Sequence, residues 1–112
     1  MNTKKFELVL LKEGETLWKK AGELIRAGRV VASMGEIEAW VKENPTVEDI
    51  SPIVIADPTE EPRIEAGGLI IQVPAYAIEK KGKHFPSGWI DLHVPMWPVV
   101  AGGQLAILTS TS

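Results

Sequence analysis

The hydrophobic pattern of this chain changes at Asn44-Pro45. Before this point apolar residues recur at the spacing of amphipathic helices, whereas after it prolines, glycines and β-branched residues predominate and the helical spacing disappears. A chain of 112 residues is large enough for one domain with its own core. The change therefore predicts a single domain in which a β-α-β-α half, residues 1–45, shares a core with a β-rich half, residues 46–112.

Residues 16–27 have the pattern of a first helix, with lysines at its outward positions. Gly28 follows where a helix commonly ends on a left-handed residue. Because an apolar stripe on a helix usually faces the core, we expect Trp18 to anchor this helix in the interior. The apolar residues at helical spacing are Leu17, Ala21 and Leu24 in one row and Trp18 and Ile25 in another.

A second helix is predicted to begin at Ser33, because Ser33 and Glu36 have the spacing of a capping box. Asn44-Pro45 ends it, since the residue before a proline is driven out of helical conformation. We expect Trp40 to anchor this helix in the core as Trp18 anchors the first. Its apolar stripe consists of Ile37, Trp40 and Val41.

Short runs of apolar and β-branched residues between turn residues predict strands. In the first run, Phe6, Leu8 and Leu10 share one face by the two-residue period of a strand. The tripeptide Ala-Gly-Gly occurs within 64–73 and again within 99–108, and each copy suits a two-residue hairpin that needs positive φ. The predicted strands are 5–11, 29–33, 53–55, 69–73, 89–94 and 105–108.

These elements predict an α+β fold. The two N-terminal helices are expected to pack on one face of a mainly antiparallel sheet or small β-barrel formed by the C-terminal half. The apolar side chains of both periodic patterns then meet in one interior. The residues expected to be buried there are Leu8, Leu24, Ile37, Trp40, Ile90 and Leu92.

Several classes of function are excluded by what the sequence lacks. It has no cysteine, which excludes disulfides, thiolate catalysis and cysteine-ligated metal sites. Neither GxGxxG nor GxxxxGK[ST] occurs, so there is no glycine-rich phosphate loop. The longest apolar runs have the length of strands, and the first ten residues lack the apolar region of a signal peptide. We expect a protein without membrane contact, cytoplasmic or within a virion if viral, and without a cofactor.

The charge distribution argues against nucleic-acid binding. The net charge is −3, and the bases of residues 80–84, KKGKH, form too small a patch for a phosphate backbone. This cluster is more simply a solvated turn. Residues 43–79 carry one base, Arg63, against the acids Glu43, Glu48, Asp49, Asp57, Glu60, Glu61, Glu65 and Glu79.

The segment HFPSGWIDLHVPMWPVV, residues 84–100, concentrates side chains suited to binding. It holds both histidines, two of the four tryptophans and three of the eight prolines. If 89–94 is a strand, its even-numbered residues face the core and its odd-numbered residues face the other way. The outward row is Trp89, Asp91 and His93.

Such a row has three interpretations. It is a candidate ligand site, in which an indole stacks on a nucleotide-like compound, Asp91 and His93 form hydrogen bonds, and Lys81 and Lys83 meet a phosphate. It could equally be a row within a protein interface. The simplest alternative is a surface ladder in which Asp91 faces a lysine on a neighbouring strand.

Metal binding and catalysis have weaker support. Asp91, His93 and His84 are a possible ligand set for zinc or iron, but His84 is expected in a Gly/Pro-containing loop where nothing fixes it near His93. Ser87 and Ser110 lack the nucleophile elbow of serine hydrolases. We therefore predict no metal site and no catalytic residues.

A second candidate surface is the apolar corner Met96-Trp97-Pro98. Pro95 and Pro98 cannot donate to a β-ladder, so the segment is expected to be an edge or bulge. Apolar edges of this kind are often covered by another chain. We predict that these residues form a chain–chain interface.

Together these observations favour a small interaction or assembly protein without enzymatic activity, forming a homo-oligomer or binding a protein partner. A viral or phage structural or accessory subunit is one form of this hypothesis. The chain has four amide side chains, twelve glutamates and eight prolines, a balance typical of heat-stable proteins. The alternatives are a module that binds or sequesters a small nucleotide-like ligand and, third, a small enzyme that uses His93 as a general base.

Overall fold

The computed structural model describes residues 5–12, 14–50, 52–68, 70–80, 83–92 and 104–111. Within these residues there are two α-helices, seven β-strands and two short 3₁₀ segments, Pro45–Ile50 and Ala66–Gly68. The helices and strands are, in chain order, β1 (Phe6–Leu10), α1 (Leu17–Arg26), β2 (Val30–Val31), α2 (Met34–Glu43), β3 (Ile53–Ala56), β4 (Arg63–Glu65), β5 (Ile70–Lys80), β6 (Lys83–Asp91) and β7 (Gln104–Ser110). The α+β fold predicted from the sequence is confirmed.

Helix α1 begins and ends at the residues that its sequence predicts. The side chain of Thr16 accepts a hydrogen bond from the amide of Lys19 and so caps the N-terminus. At the other end Gly28 has a φ of 81°, which is costly for residues with a side chain. The amides of Gly28 and Arg29 donate to the carbonyls of Ile25 and Leu24, each at 3.0 Å. This pair of bonds is the Schellman motif.

The predicted capping box of α2 is also present. The amide of Glu36 donates to Ser33 Oγ at 3.3 Å, and the amide of Ser33 donates to Glu36 Oε1 at 3.1 Å. Two amides that the helix cannot satisfy are therefore paired by side chains. Asn44 caps the C-terminus, and its side-chain amide donates to the carbonyl of Trp40 at 2.8 Å.

The strands of both halves form one sheet with the path β1-β7-β3-β5-β4, to which β2 and β6 are added. Strands β3 and β6 pair with the same residues of β5, so they must occupy its two different edges. The same reasoning places β1 and β3 on the two edges of β7. The β3–β7 pair is parallel and the other pairs are antiparallel, as the predicted, mainly antiparallel sheet requires.

The two helices cover opposite faces of this sheet, so the expectation that both lie on one face is wrong. Leu17 and Ala21 of α1 belong to one buried cluster, whereas Ile37 and Val41 of α2 belong to a second. Alternate residues of β3 and β7 contribute to the two clusters in turn. Strands buried on both faces have near-continuous apolar sequences. The runs IVIA in β3 and LAIL in β7 have this character.

The predicted core is confirmed in part. Ile37, Ile90 and Leu92 are buried, while the other three predicted residues, Leu8, Leu24 and Trp40, are partly buried against the two clusters. The prediction for Trp18 is wrong, because its side chain is 63% exposed. Leu10, which was predicted to share a face with Phe6 and Leu8, is exposed as well.

The first Ala-Gly-Gly segment forms a hairpin turn, as predicted, but a longer one. Glu65 of β4 pairs with Ile70 of β5, so four residues separate the paired ends instead of two. Gly67 and Gly68 have φ values of 66° and 95°, a conformation that glycine adopts without steric cost. The second Ala-Gly-Gly segment, at 101–103, lies outside the described residues.

Strands β5 and β6 form a hairpin, and each is longer than the strand predicted there, 69–73 and 89–94 respectively. Strand β5 continues to Lys80 and β6 begins at Lys83, so that the two strands pair along most of their length. The register shifts between Ala75 and Ala77 and again between Ile78 and Lys80. Such bulges let one strand turn its side chains to the other face.

In the described part of the chain, no helix combines the length and the apolar composition needed to cross a membrane.

Candidate functional site

The alternation predicted around Trp89 is confirmed for the described residues. Ile90 and Leu92 are buried in the cluster beneath α1, and Trp89 points to the other face of β6 with 46% of its surface exposed. The guanidinium carbon of Arg63 in β4 lies 5.9 Å from the centre of the indole ring. At this distance the positive charge is attracted to the electron-rich face of the ring.

Only part of the predicted ligand row can be placed beside Trp89. The backbone of Asp91 pairs with Gln72 of β5, but its side chain lies outside the described residues, as do Lys81 and His93. Lys83 stands at the opposite end of β6, where it pairs with Lys80. The six steps along the strand from Lys83 to Trp89 correspond to roughly 20 Å. The structure therefore places Lys83 away from Trp89. Met96, Trp97 and Pro98 also lie outside the described residues.

His84 is fixed, contrary to the expectation of a loop. It lies in β6 opposite Ile78 of β5, and both of its ring nitrogens are hydrogen-bonded. Nε2 is 2.8 Å from Glu48 Oε1, and Nδ1 is 3.0 Å from Tyr76 Oη. In neutral His84, Nε2–H donates to the carboxylate while Nδ1 accepts from the phenol.

The Glu48–His84–Tyr76 chain has the order carboxylate, imidazole, hydroxyl that activates nucleophiles in hydrolases. Tyr76 is unsuited to that role, since it is only 3% exposed. Burial raises the pKa of Tyr76, and the negative charges of Glu38 and Glu48 raise it further. The phenol is therefore held as a hydrogen-bond donor. The chain connects the 3₁₀ helix Pro45–Ile50 to the β5–β6 hairpin, and we interpret it as structural.

Sequence reasoning missed this network because its members are far apart in the chain. Glu48 and His84 are separated by 36 positions, and no local spacing relates them. Tyr76 and His84 are brought together by the register of the β5–β6 hairpin, and the predicted strands 69–73 and 89–94 include neither residue. Among the described residues, no group of three or more His, Asp or Glu side chains could hold a metal ion.

A cleft of about 330 Å³ lies beside α1, on the other side of the sheet from Trp89. One wall is the exposed face of the helix, and the other is formed by the turn after β3 and by the end of β6. The cleft is lined mainly by apolar surface, with two cations at its rim. The residues that define it are Trp18, Lys19, Ile25, Arg26, Pro58 and Leu92.

Both walls of this cleft are held by hydrogen bonds. The amide of Trp18 donates to the carbonyl of Leu92 at 3.1 Å and joins the start of α1 to the end of β6. In the opposite wall the buried carboxylate of Asp57 accepts from the amide and hydroxyl of Thr59, at 3.1 and 2.7 Å. An aspartate that bonds to the backbone two residues later fixes a turn. The cleft is therefore preformed.

Comparison of the chain with protein-family models, with curated proteins and with solved structures finds no match.

Proposed function

We propose that this protein is a non-enzymatic interaction protein that associates with a second copy of itself through the surface around Arg63 and Trp89. The observation that supports this most is the exposed indole of Trp89, lying beside the guanidinium of Arg63 on a rigid sheet. Tryptophan and arginine are the residues most enriched at the energetic centres of protein interfaces. Their contact in the single chain reduces the side-chain entropy lost on association.

The charges of this surface favour a second copy as the partner. Glu60 and Glu61 are exposed and precede Arg63 by only a few residues. A two-fold symmetric interface brings each patch against itself, and the proposed interface pairs the carboxylates that precede Arg63 in one copy with the cation of the other.

The experiment is a measurement of mass by native mass spectrometry and light scattering from low micromolar protein to about 100 μM, the range of moderate affinities. We expect a dimer that Trp89→Ala and Arg63→Glu each weaken. Phe85→Ala is the matched control, because Phe85 is exposed to a similar extent and pairs with Ala77, whose side chain packs on the α1 side of the sheet. Its dimer should match that of the wild type.

A charge exchange makes the same test sharper. The variant carrying Glu60→Lys, Glu61→Lys and Arg63→Glu reverses both partners of each cross-interface pair, so it should regain the association that Arg63→Glu alone loses. High salt should weaken the wild-type dimer in the same way that it screens exposed charges. A wild type that stays monomeric over the whole range would contradict self-association. Failure of the exchange variant to recover would contradict this surface.

Two narrower forms of the proposal belong with it. The predicted interface at Met96-Trp97-Pro98 stays a prediction, and Trp97→Lys tests it in the same mass measurement. A viral structural or accessory subunit is the other form, and its heat stability is the part that the low amide and high proline and glutamate content supports. A thermal unfolding midpoint in the ordinary mesophilic range, about 45–65 °C, would contradict the thermostable form.

The second candidate function is a nucleotide-binding module that uses the Trp89, Asp91 and His93 face. The observation that favours it is again the Arg63–Trp89 contact, since an exposed indole can stack on a base while a guanidinium meets a phosphate. A thermal-shift screen with nucleotides at pH 5.5 and 7.5 brackets the ordinary histidine pKa of about 6.5. Stabilisation that Trp89→Ala abolishes would support binding, and a flat screen would contradict it.

A further inference from the structure

The cleft beside α1 is separate from the Arg63–Trp89 surface. Trp18 and Ile25 stand exposed along one side of it, although both belong to the apolar pattern of the helix. Its volume of about 330 Å³ lies at the lower end of the range of about 300–1,000 Å³ that small-molecule sites occupy. The two sites can be tested separately, because Trp89 and the cleft lie on opposite sides of the sheet.

The cleft owes part of its shape to a glycine within the helix. Gly22 lines it, between Trp18 and Arg26 at successive turns of α1. A Cβ atom at Gly22 would lie 3.2 Å from Nη1 of Arg26, so the guanidinium rests against the bare helix backbone. Glycine inside a helix is less favourable for stability than alanine. The absence of a side chain at Gly22 lets the guanidinium of Arg26 lie along the rim of the cleft.

The charged residues that line the cleft within the described part of the chain are both positive. They are Lys19 and Arg26, and no carboxylate is among the described lining residues. Neither side chain takes part in an ion pair with another described residue. The remaining lining is mainly apolar, with Trp18, Ile25 and Leu92 beside the hydroxyl-bearing Thr59. An apolar groove with cations at one rim is complementary to a molecule that has an apolar body and a negative end.

We propose that this cleft binds a small amphipathic carboxylate. The apolar body lies between Trp18, Ile25 and Leu92, where it removes apolar surface from water. The carboxylate lies at the rim formed by Lys19 and Arg26, where it accepts charge-assisted hydrogen bonds. The preformed walls favour binding, because neither the Trp18–Leu92 contact nor the Asp57–Thr59 turn has to be ordered first.

The test uses octanoate as the probe, with octan-1-ol and octylammonium as neutral and cationic molecules of the same chain length. Amide chemical shifts in heteronuclear NMR measure affinity and location together. We expect octanoate to saturate and to shift residues 18–26, Thr59 and Leu92. Octylammonium should bind at least about tenfold more weakly, since it brings a like charge to the rim. Saturation by millimolar octanoate at other residues, or no saturation, would overturn the proposal.

Variants separate the two parts of the site. Arg26→Gln should weaken octanoate binding about three- to tenfold and leave octan-1-ol binding unchanged, whereas Trp18→Ala should weaken the binding of both.

Lys42→Gln, which removes an exposed cation from α2, is the charge control and should leave the binding of both probes unchanged. Trp89→Ala should also leave octanoate binding intact, and a loss there would overturn the location. Circular dichroism establishes that each variant is folded, so a loss of binding reports the cleft itself. Equal affinity for all three octyl probes would show that the cations do not select the ligand.

Discussion

The two helices of this protein are similar in sequence and different in what surrounds them. Each has ten residues, a side-chain N-cap and one tryptophan. At 100° per residue, Trp18 and Trp40 lie roughly 80–90° around their helices from the buried rows. Trp40 nevertheless packs against a core cluster, whereas Trp18 is exposed.

The difference arises from what lies next to each helix. Helix α2 is followed directly by the 3₁₀ helix Pro45–Ile50, whose Val47 belongs to the same cluster that Trp40 contacts. The flank of α1 faces the cleft. An apolar residue at the border of a helical stripe is therefore buried only if another element covers that border. The apolar stripe itself does not determine whether a residue at its border is buried.

The largest effect should come from the centres of the two stripes. Leu17→Ala in α1 and Ile37→Ala in α2 each remove a fully buried side chain, and each should lower the free energy of unfolding by about 2–5 kcal/mol. Leu92→Ala belongs to the same class. Urea denaturation followed by circular dichroism measures all three. A wild-type-like midpoint for Leu17→Ala alone would show that α1 does not close its face of the sheet.

The next effect distinguishes the border of α2 from its centre. Trp40→Ala should cost about 1–3 kcal/mol, less than a fully buried aromatic residue, because part of the indole is already in water. The measurement is the same denaturation curve. A cost as large as that of Ile37→Ala would show that Trp40 is a full member of the core, as its sequence predicts.

Much of the fold could be predicted because its signals are local. The caps of both helices, the end of α1 at Gly28 and the strands at 53–55 and 105–108 each depend on a few neighbouring residues. Assigning the helices to opposite faces required knowing that β3 and β7 are buried on both sides. Their runs of consecutive apolar residues carried that information, but a run of that length also fits a strand in a barrel.

The candidate sites were harder to predict because they depend on distant residues. The outward direction of Trp89 follows from alternation, and that was predicted. Its neighbour Arg63 comes from β4 through the register of β5, and the Glu48–His84 contact joins a 3₁₀ helix to a hairpin. The cleft results from the spaces between α1, the turn after β3 and the end of β6. No pattern within one segment reports such a space.

Removing the N-caps compares the starts of the two helices. Ser33→Ala should cost about 0.5–2 kcal/mol and Thr16→Ala a similar or smaller amount. Ser33 is expected at the upper end, because its loss also leaves Glu36 without its reciprocal partner. Thermal or urea unfolding measures both. Ser33→Thr, which keeps the hydroxyl, is the control and should retain most of the stability.

Glu15, just before α1, is expected to make a smaller, pH-dependent contribution to the free energy of unfolding. The amide of Lys12 donates to Glu15 and, with the nearby charge of Lys20, holds the pKa of that carboxyl below its ordinary value of 4.5, against an opposing effect of burial. A carboxyl whose pKa is lower in the folded than in the unfolded state stabilises the protein at a pH above its unfolded-state pKa. This stabilisation is lost as the pH falls through the folded-state pKa. Glu15→Gln should therefore be less stable than wild type at pH 7, and the difference should narrow below pH 4.5. Glu43→Gln at the end of α2 controls for the loss of a carboxylate. A difference that does not change with pH would contradict this role of Glu15.

The smallest effect on stability is expected for Trp18→Ala, and its comparison with Trp40→Ala distinguishes the two helices most clearly. Trp18 is 63% exposed, so its loss should change the free energy of unfolding by no more than about 0.5 kcal/mol. The higher helix propensity of alanine partly offsets the contacts that are lost. Circular dichroism is the appropriate probe, because the substitution removes a fluorophore. A cost equal to that of Trp40→Ala would mean that the indole is packed in solution and that the cleft is filled. A near-zero cost, together with weakened octanoate binding, would mean that Trp18 stabilises a complex with a ligand rather than the fold.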